Sequence, residues 1–129
     1  MKKTTTHFVV LTIITTSLFI GNTISMHANS WTLVDSKTSS STSTYLKGVT
    51  GGDAKICLKN QIGGIRVNVY HKDGSSSYGA LILNSVFIGN NNCITFDANP
   101  YINETNNAAE FTVVTTRTPI SSYTLELWD

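Results

Sequence analysis

From Tyr45 onward, apolar and polar residues alternate in short runs, and clusters of Gly, Asn and Asp break those runs. Alternation of this kind belongs to half-buried strands; a helix would repeat its apolar positions about every three to four residues. The pattern predicts strands over residues 44–49, 54–59, 64–71, 78–88, 92–97, 109–117 and 122–128, with a short first strand around Trp31, Leu33 and Val34. The separators are Thr50-Gly51-Gly52-Asp53, Asn60-Gln61-Ile62-Gly63, Lys72-Asp73-Gly74-Ser75, Gly89-Asn90-Asn91 and a longer loop over 98–108. Asp73-Gly74 marks a hairpin, because glycine accepts the positive φ that tight hairpin turns require. Pro119 cannot continue a ladder and forces a corner before the last strand. Short strands at this spacing predict an all-β chain: a small single-domain β-sandwich, jelly-roll or Greek-key-like, with about seven to eight strands.

The phase of the alternation assigns faces. Ile65, Val67 and Val69 share one face of their strand, as do Ala109, Phe111 and Val113, and Tyr123, Leu125 and Leu127. Residues 78–88 are apolar on both faces around Asn84-Ser85, which predicts either a central strand or two pieces joined by a bulge. From Ser36 to Thr44 the chain is almost entirely Ser and Thr, a polar arm that cannot bury much surface; a strand starting near Thr42 is the alternative.

The first residues follow a different logic. Lys2 and Lys3 precede an apolar run over 8–20, and small or polar residues follow at Ser25, Ala28 and Ser30. Basic, apolar, then small is the order of a secretory signal peptide, expected to span 1–28 with cleavage near Ala28 or Ser30. The run is too short for a permanent transmembrane helix, which needs about 20 apolar residues. Residues 29–129 then form the exported domain, without an integral membrane segment. The expected location is extracellular, and a Lys-Lys start with a Thr-rich apolar core suits a bacterium.

Export changes the reading of the two cysteines, Cys57 and Cys93. In an oxidising compartment they should form a disulfide. Ala54, Ile56 and Leu58 occupy one face of their strand and leave Cys57 on the other; Ile94 and Phe96 likewise leave Cys93 opposite. The bond is therefore expected on the outer face of one sheet, between antiparallel neighbours, with Ile56 opposite Ile94 and Ala54 opposite Phe96. A bridge between two molecules is the alternative.

Charge narrows the partners. Without Lys2 and Lys3, seven of the nine basic residues face eight acidic ones. That balance argues against nucleic acid or anionic membrane, which call for a concentrated basic face. Self-assembly through the 36–44 arm, by strand addition, is a further expectation.

The candidate chemistry is thin. His71, Asp73 and Ser75 to Ser77 are the residue types of a hydrolytic triad, but they crowd one polar turn. Asp97, Glu104 and Glu110 are the only cluster of carboxylates that glycoside hydrolysis could use, and nothing fixes their separation. Asp97, Asn99, Asn103 and Glu104 offer hard oxygens to calcium, with no EF-hand spacing and with an ordinary Asn-rich loop as the alternative. Trp128 beside Glu126, with Tyr70 and Arg66, suggests an aromatic surface for a sugar or protein ligand; alternatively Trp128 caps the end of the sandwich against Trp31. No cofactor is expected. These features predict a secreted, non-catalytic binding or surface/matrix module for an extracellular protein, cell-wall or carbohydrate ligand. The alternatives are a bacteriocin-like small toxin and an inhibitor of a secreted enzyme.

Overall fold

Each alternating run becomes a strand with one apolar face to bury, and the chain buries these faces together by rolling up as one long hairpin. The computed structural model describes residues 30–72, 74 and 78–129. Its strands are β1 (Leu33–Ser39), β2 (Ser43–Val49), β3 (Asp53–Lys59), β4 (Ile65–His71), β5 (Leu81–Ile88), β6 (Cys93–Asp97), β7 (Ala109–Thr115) and β8 (Tyr123–Trp128). The remaining regular element among the described residues is a 3-10 turn at Asn99–Tyr101, which contains Pro100. None of the helices among the described residues is long and apolar enough to cross a membrane. The segment assigned to the signal peptide lies outside the described residues, as do positions 73 and 75–77 of the β4–β5 turn.

The pairing is nested. β1 pairs with β8, β2 with β7, β3 with β6 and β4 with β5, all antiparallel. Folding that ladder over adds the β3–β8 and β4–β7 pairings and gives two four-stranded sheets, β1-β8-β3-β6 and β2-β7-β4-β5. Every link except the β4–β5 hairpin crosses between sheets, which makes the sandwich a jelly roll.

The inward faces are the expected ones. Val67, Val69, Ala109, Phe111, Val113, Tyr123, Leu125 and Leu127 are fully buried between the sheets, with Ala54, Ile56 and Leu58 from β3. Phe96 meets Phe111 edge to face at 5.1 Å across the core. The phenol of Tyr123 is the polar exception, and it is satisfied: its hydroxyl donates to the Ser41 carbonyl at 2.8 Å and lies 3.0 Å from Thr44 Oγ1.

Cys57 and Cys93 face each other across β3 and β6 and are bonded, at the close 4.0 Å Cα spacing of a narrow antiparallel pair. Ile56 is opposite Ile94 and Ala54 opposite Phe96, as the phase of the alternation requires. The bridge lies on the outer face and ties the five-residue edge strand β6 to the sheet interior.

Two expectations need correction. The Ser/Thr stretch 36–44 is not a free arm. Residues 36–39 are the second half of β1, paired with β8, and β2 starts at Ser43, paired with β7. Thr38 and Thr124 hydroxyls even meet at 2.8 Å across the ladder. β1 is an edge strand with few buried side chains, so its polar composition is what an edge requires. The 78–88 run is not a central strand: β5 is an edge. Of the two alternatives, the bulge holds, with the register against β4 slipping between Val67 and Tyr70 and Ser85 at φ 53°.

Antiparallel nesting sorts the links into two ends. The β2–β3, β4–β5 and β6–β7 links lie at one end, beside the Thr32–Asp129 backbone pair. The β1–β2, β3–β4, β5–β6 and β7–β8 links lie at the other. The strands separate the two ends by roughly 20–24 Å.

Candidate functional site

The end that carries the β3–β4 and β7–β8 links holds an open cleft of about 680 Å³. Its geometry begins with Asn60, at φ 60°, which ends β3 and turns the chain into Gln61. Gln61 is buried and joins three links: its backbone N–H donates to Asn90 Oδ1 at 3.1 Å, and its Oε1 accepts from Ser121 Oγ at 3.3 Å. The next residue, Ile62, is left 94% exposed on the tip of that turn. Gly64 closes the turn at φ +77°, its N–H donating to the Gln61 carbonyl at 3.3 Å. A Cβ there would lie 2.5 Å from the Ile88 carbonyl and 2.7 Å from the Phe87 ring, so the glycine is what lets Phe87 lie along the cleft edge. Across the cleft, Pro119 restricts the β7–β8 link and Ile120 stands 98% exposed beside it.

Two guanidiniums line the cleft. Arg66, on the outer face of β4, donates from Nη1 to the Ser85 carbonyl freed by the β5 bulge. Arg117 is exposed in the β7–β8 link. The hydroxyls of the exposed Thr116 and Thr118 add donors, while that of the buried Thr115 donates to the Thr42 carbonyl, and among the described residues no carboxylate lines the cleft. Lys59, at the end of β3, adds a third cation to this end.

The described carboxylates collect at the opposite end. Asp53 pairs in register with Asp97, Glu110 with Lys47, and Asp35 accepts the Lys47 N–H. Asp129 caps Thr50, and Glu104 lies in the β6–β7 link; Glu126, in mid-strand opposite Cys57, is the exception. Lys47, Lys55 and Lys72 share that end, which carries an excess of acid over base. A chain almost neutral in sum is therefore polarised along the sandwich, and among the described residues the end with the cleft is cationic and holds no carboxylate.

The aromatic surface read from the sequence does not assemble. Trp128 projects from the outer face of the first sheet, while Tyr70 and Arg66 project from the outer face of the second. Trp128 and Trp31 instead flank the Lys55 ammonium, at 4.9 and 4.4 Å from their ring centroids, and the Trp128 indole N–H donates to Glu126. Tyr70 stacks edge to face on Tyr78 at 5.4 Å.

On the second sheet's outer face Tyr45, Glu110 and Lys72 form a group. Lys72 lies 3.7 Å from Glu110 and over the Tyr45 ring. The Tyr45 phenol is pushed up to about 12, by burial first, then by its hydrogen bond to Glu110 and by the negative charge of Glu110 and Asp35.

The oxygens offered to calcium are engaged locally. Asp97 Oδ1 accepts the Asn99 N–H, Asn103 Oδ1 the Thr105 N–H, and Asn99 Oδ1 the Gly52 N–H. These Asx contacts shape the 98–108 link. Among the described residues no three His, Cys, Asp or Glu side chains converge as a metal site would need. His71 packs against Tyr101 at 5.3 Å, and its buried Nε2 meets no hydrogen-bond partner among the described residues. Its triad companions at 73 and 75–77 lie outside those residues.

Sequence reasoning passed over the cleft, although a signal for it existed. Ile62 and Ile120 are aliphatic residues inside segments read as turns, where burial has no use for them.

No curated protein and no solved structure matches the chain. The model of one family, described as the YndA coiled coil domain, matches residues 26–127. A coiled coil needs apolar heptads along paired helices, whereas the described part of this region consists of eight strands, one short 3-10 turn and their links. On a match that takes in the whole sandwich but the last residue of β8, the chain belongs to the YndA coiled coil domain family.

Proposed function

We propose that this is a secreted, non-catalytic module that binds an extracellular surface through the cationic end of its jelly roll. The observation that carries the reading is the coincidence, on one cleft, of Arg66 and Arg117, the exposed Ile62 and Ile120, and the absence of any lining carboxylate. Apolar tips rimmed by charge are how a protein surface prepares for a partner. Export is supported by the order of residues in 1–30 and by a disulfide of the kind oxidising compartments maintain. The family match begins at residue 26, beyond the apolar run, in keeping with a leader that is separate from the domain. The non-catalytic reading is supported by what the reactive groups already do. Both thiols are spent in the bridge, Glu110 is held by Lys72 and Tyr45, and Asp97 caps a turn.

The test is to express the full chain and follow it by fractionation and mass spectrometry. The reading expects a product beginning near residue 29, outside the cytoplasm, with no free thiol, and retained at a surface less well in an Ile62→Ser/Ile120→Ser variant. An intact N-terminus with two free thiols inside the cell would refute export. Unchanged retention of the variant would refute the site. The same polarity is the one observation that favours the alternative of a secreted antagonist of other cells; release of dye from vesicles would select that alternative.

A further inference from the structure

We propose that the occupant of the cationic end is an anionic lipid bilayer, with Ile62 and Ile120 entering the acyl boundary while Arg66 and Arg117 hold headgroup phosphates. The inference rests on the reading of this end as the binding site, and adds what it binds.

The two isoleucines separate a bilayer from other partners. At 94% and 98% exposure they touch almost nothing of their own protein. Protein hot spots are typically Trp, Tyr and Arg set in well-packed patches. Sugars are met by flat aromatic rings, and the ring at this cleft, Phe87, lies half exposed along its edge while both protruding tips are aliphatic; a phosphate polymer has no use for an aliphatic tip. An acyl layer does: it takes convex, flexible-partner-free aliphatic groups and rewards nothing but their apolar area.

The tips are also held in place. Ile62 follows the buried Gln61, which is bonded both to Asn90 and to Ser121, one residue beyond Ile120. Presenting the two tips together therefore costs little ordering on contact.

Charge supplies the second half. The cleft contains two guanidiniums and no acid, and a planar guanidinium matches phosphate with paired donors. Arg66 is oriented by the Ser85 carbonyl, which leaves further N–H groups for a ligand. The near-neutral total argued against an anionic membrane only because it adds this end to the acidic one. A surface potential decays within a Debye length of about 8–10 Å, so the carboxylates at the far end, one strand length away, oppose docking little.

The experiment uses the disulfide-bonded protein with vesicles of phosphatidylcholine, with and without phosphatidylglycerol, in co-sedimentation. Expected is binding to the phosphatidylglycerol vesicles, weaker with added salt, and reduced about tenfold or more by either Ile62→Ser or Ile120→Ser, the loss of one aliphatic transfer. Arg117→Gln should weaken binding and lower its salt dependence. Both isoleucines lie on the surface, and a circular dichroism melt identical to the parent shows that the variants are folded. No binding to either vesicle, or binding that the isoleucine variants leave unchanged, overturns the lipid assignment. If isolated cell wall then binds the parent and not the variants, the site stands and its ligand is a wall polymer. If no surface distinguishes parent from variants, the site itself falls.

Discussion

Opening the Cys57–Cys93 bond is the sharpest test of how this small sandwich is held together. The bond closes a sequence separation of 36 residues, which by chain entropy restricts the unfolded state by about 4 kcal/mol. A domain of about 100 residues has a total stability of roughly 5–15 kcal/mol, so the bond accounts for a large share. Reduction is the cleanest perturbation, because it leaves both sulfurs in place and removes only the cross-link. On the figures for domains of this size, the melting temperature should fall by about 15–30 °C. The assay is thermal and urea unfolding followed by circular dichroism, with and without reductant, alongside a Cys57→Ala/Cys93→Ala variant. The structure also says where the loosening starts. β6 is an edge strand of five residues paired to β3 alone, so its amides should exchange first in the reduced protein, while β8, flanked by β1 and β3, stays protected longer. A reduced protein within about 1 kcal/mol of the oxidised one would refute the entropic reasoning. It would mean that the β3–β6 ladder already restrains the denatured chain.

Three further outcomes are expected. Tyr123→Phe removes a buried hydroxyl and strands the Ser41 carbonyl and Thr44 hydroxyl, at a cost of about 1–3 kcal/mol in urea unfolding; an unchanged midpoint would show that water replaces it. Gly64→Ala combines a φ of +77° with a Cβ only 2.5 Å from the Ile88 carbonyl, and should destabilise by more than the roughly 1 kcal/mol of a left-handed alanine alone; thermal melts decide it, and a stabilised variant would contradict the geometry. In alkaline titration followed by tyrosine ultraviolet absorbance, the fraction of signal titrating near pH 12 should vanish in Tyr45→Phe. Because that phenol keeps its proton in the folded state above its ordinary value near 10, stability should be whole below pH 10 and decline toward pH 12; a flat profile there would oppose the assignment.

What the sequence revealed and what it hid have physical reasons. Alternation specifies a face, and so the inward sets and the outward cysteines could be read correctly. It does not specify a partner. The nested pairing is mostly a long-range property: the hairpin signal after β4 pairs only β4 with β5, and the disulfide pins β3 against β6 and their register. Edge strands are where reading fails. β1 buries little and holds β8 largely through its backbone, so the Ser/Thr run over 36–44 resembles a solvated loop in composition. β5 misleads in the opposite direction, since its apolar residues on both faces are partly left in solvent, Leu81 and Phe87 among them. Trp128, Tyr70 and Arg66 were grouped by chemistry, and the roll sends them to opposite faces. The charge polarity was invisible for the same reason, because the ends of eight strands become neighbours only once the ladder is folded.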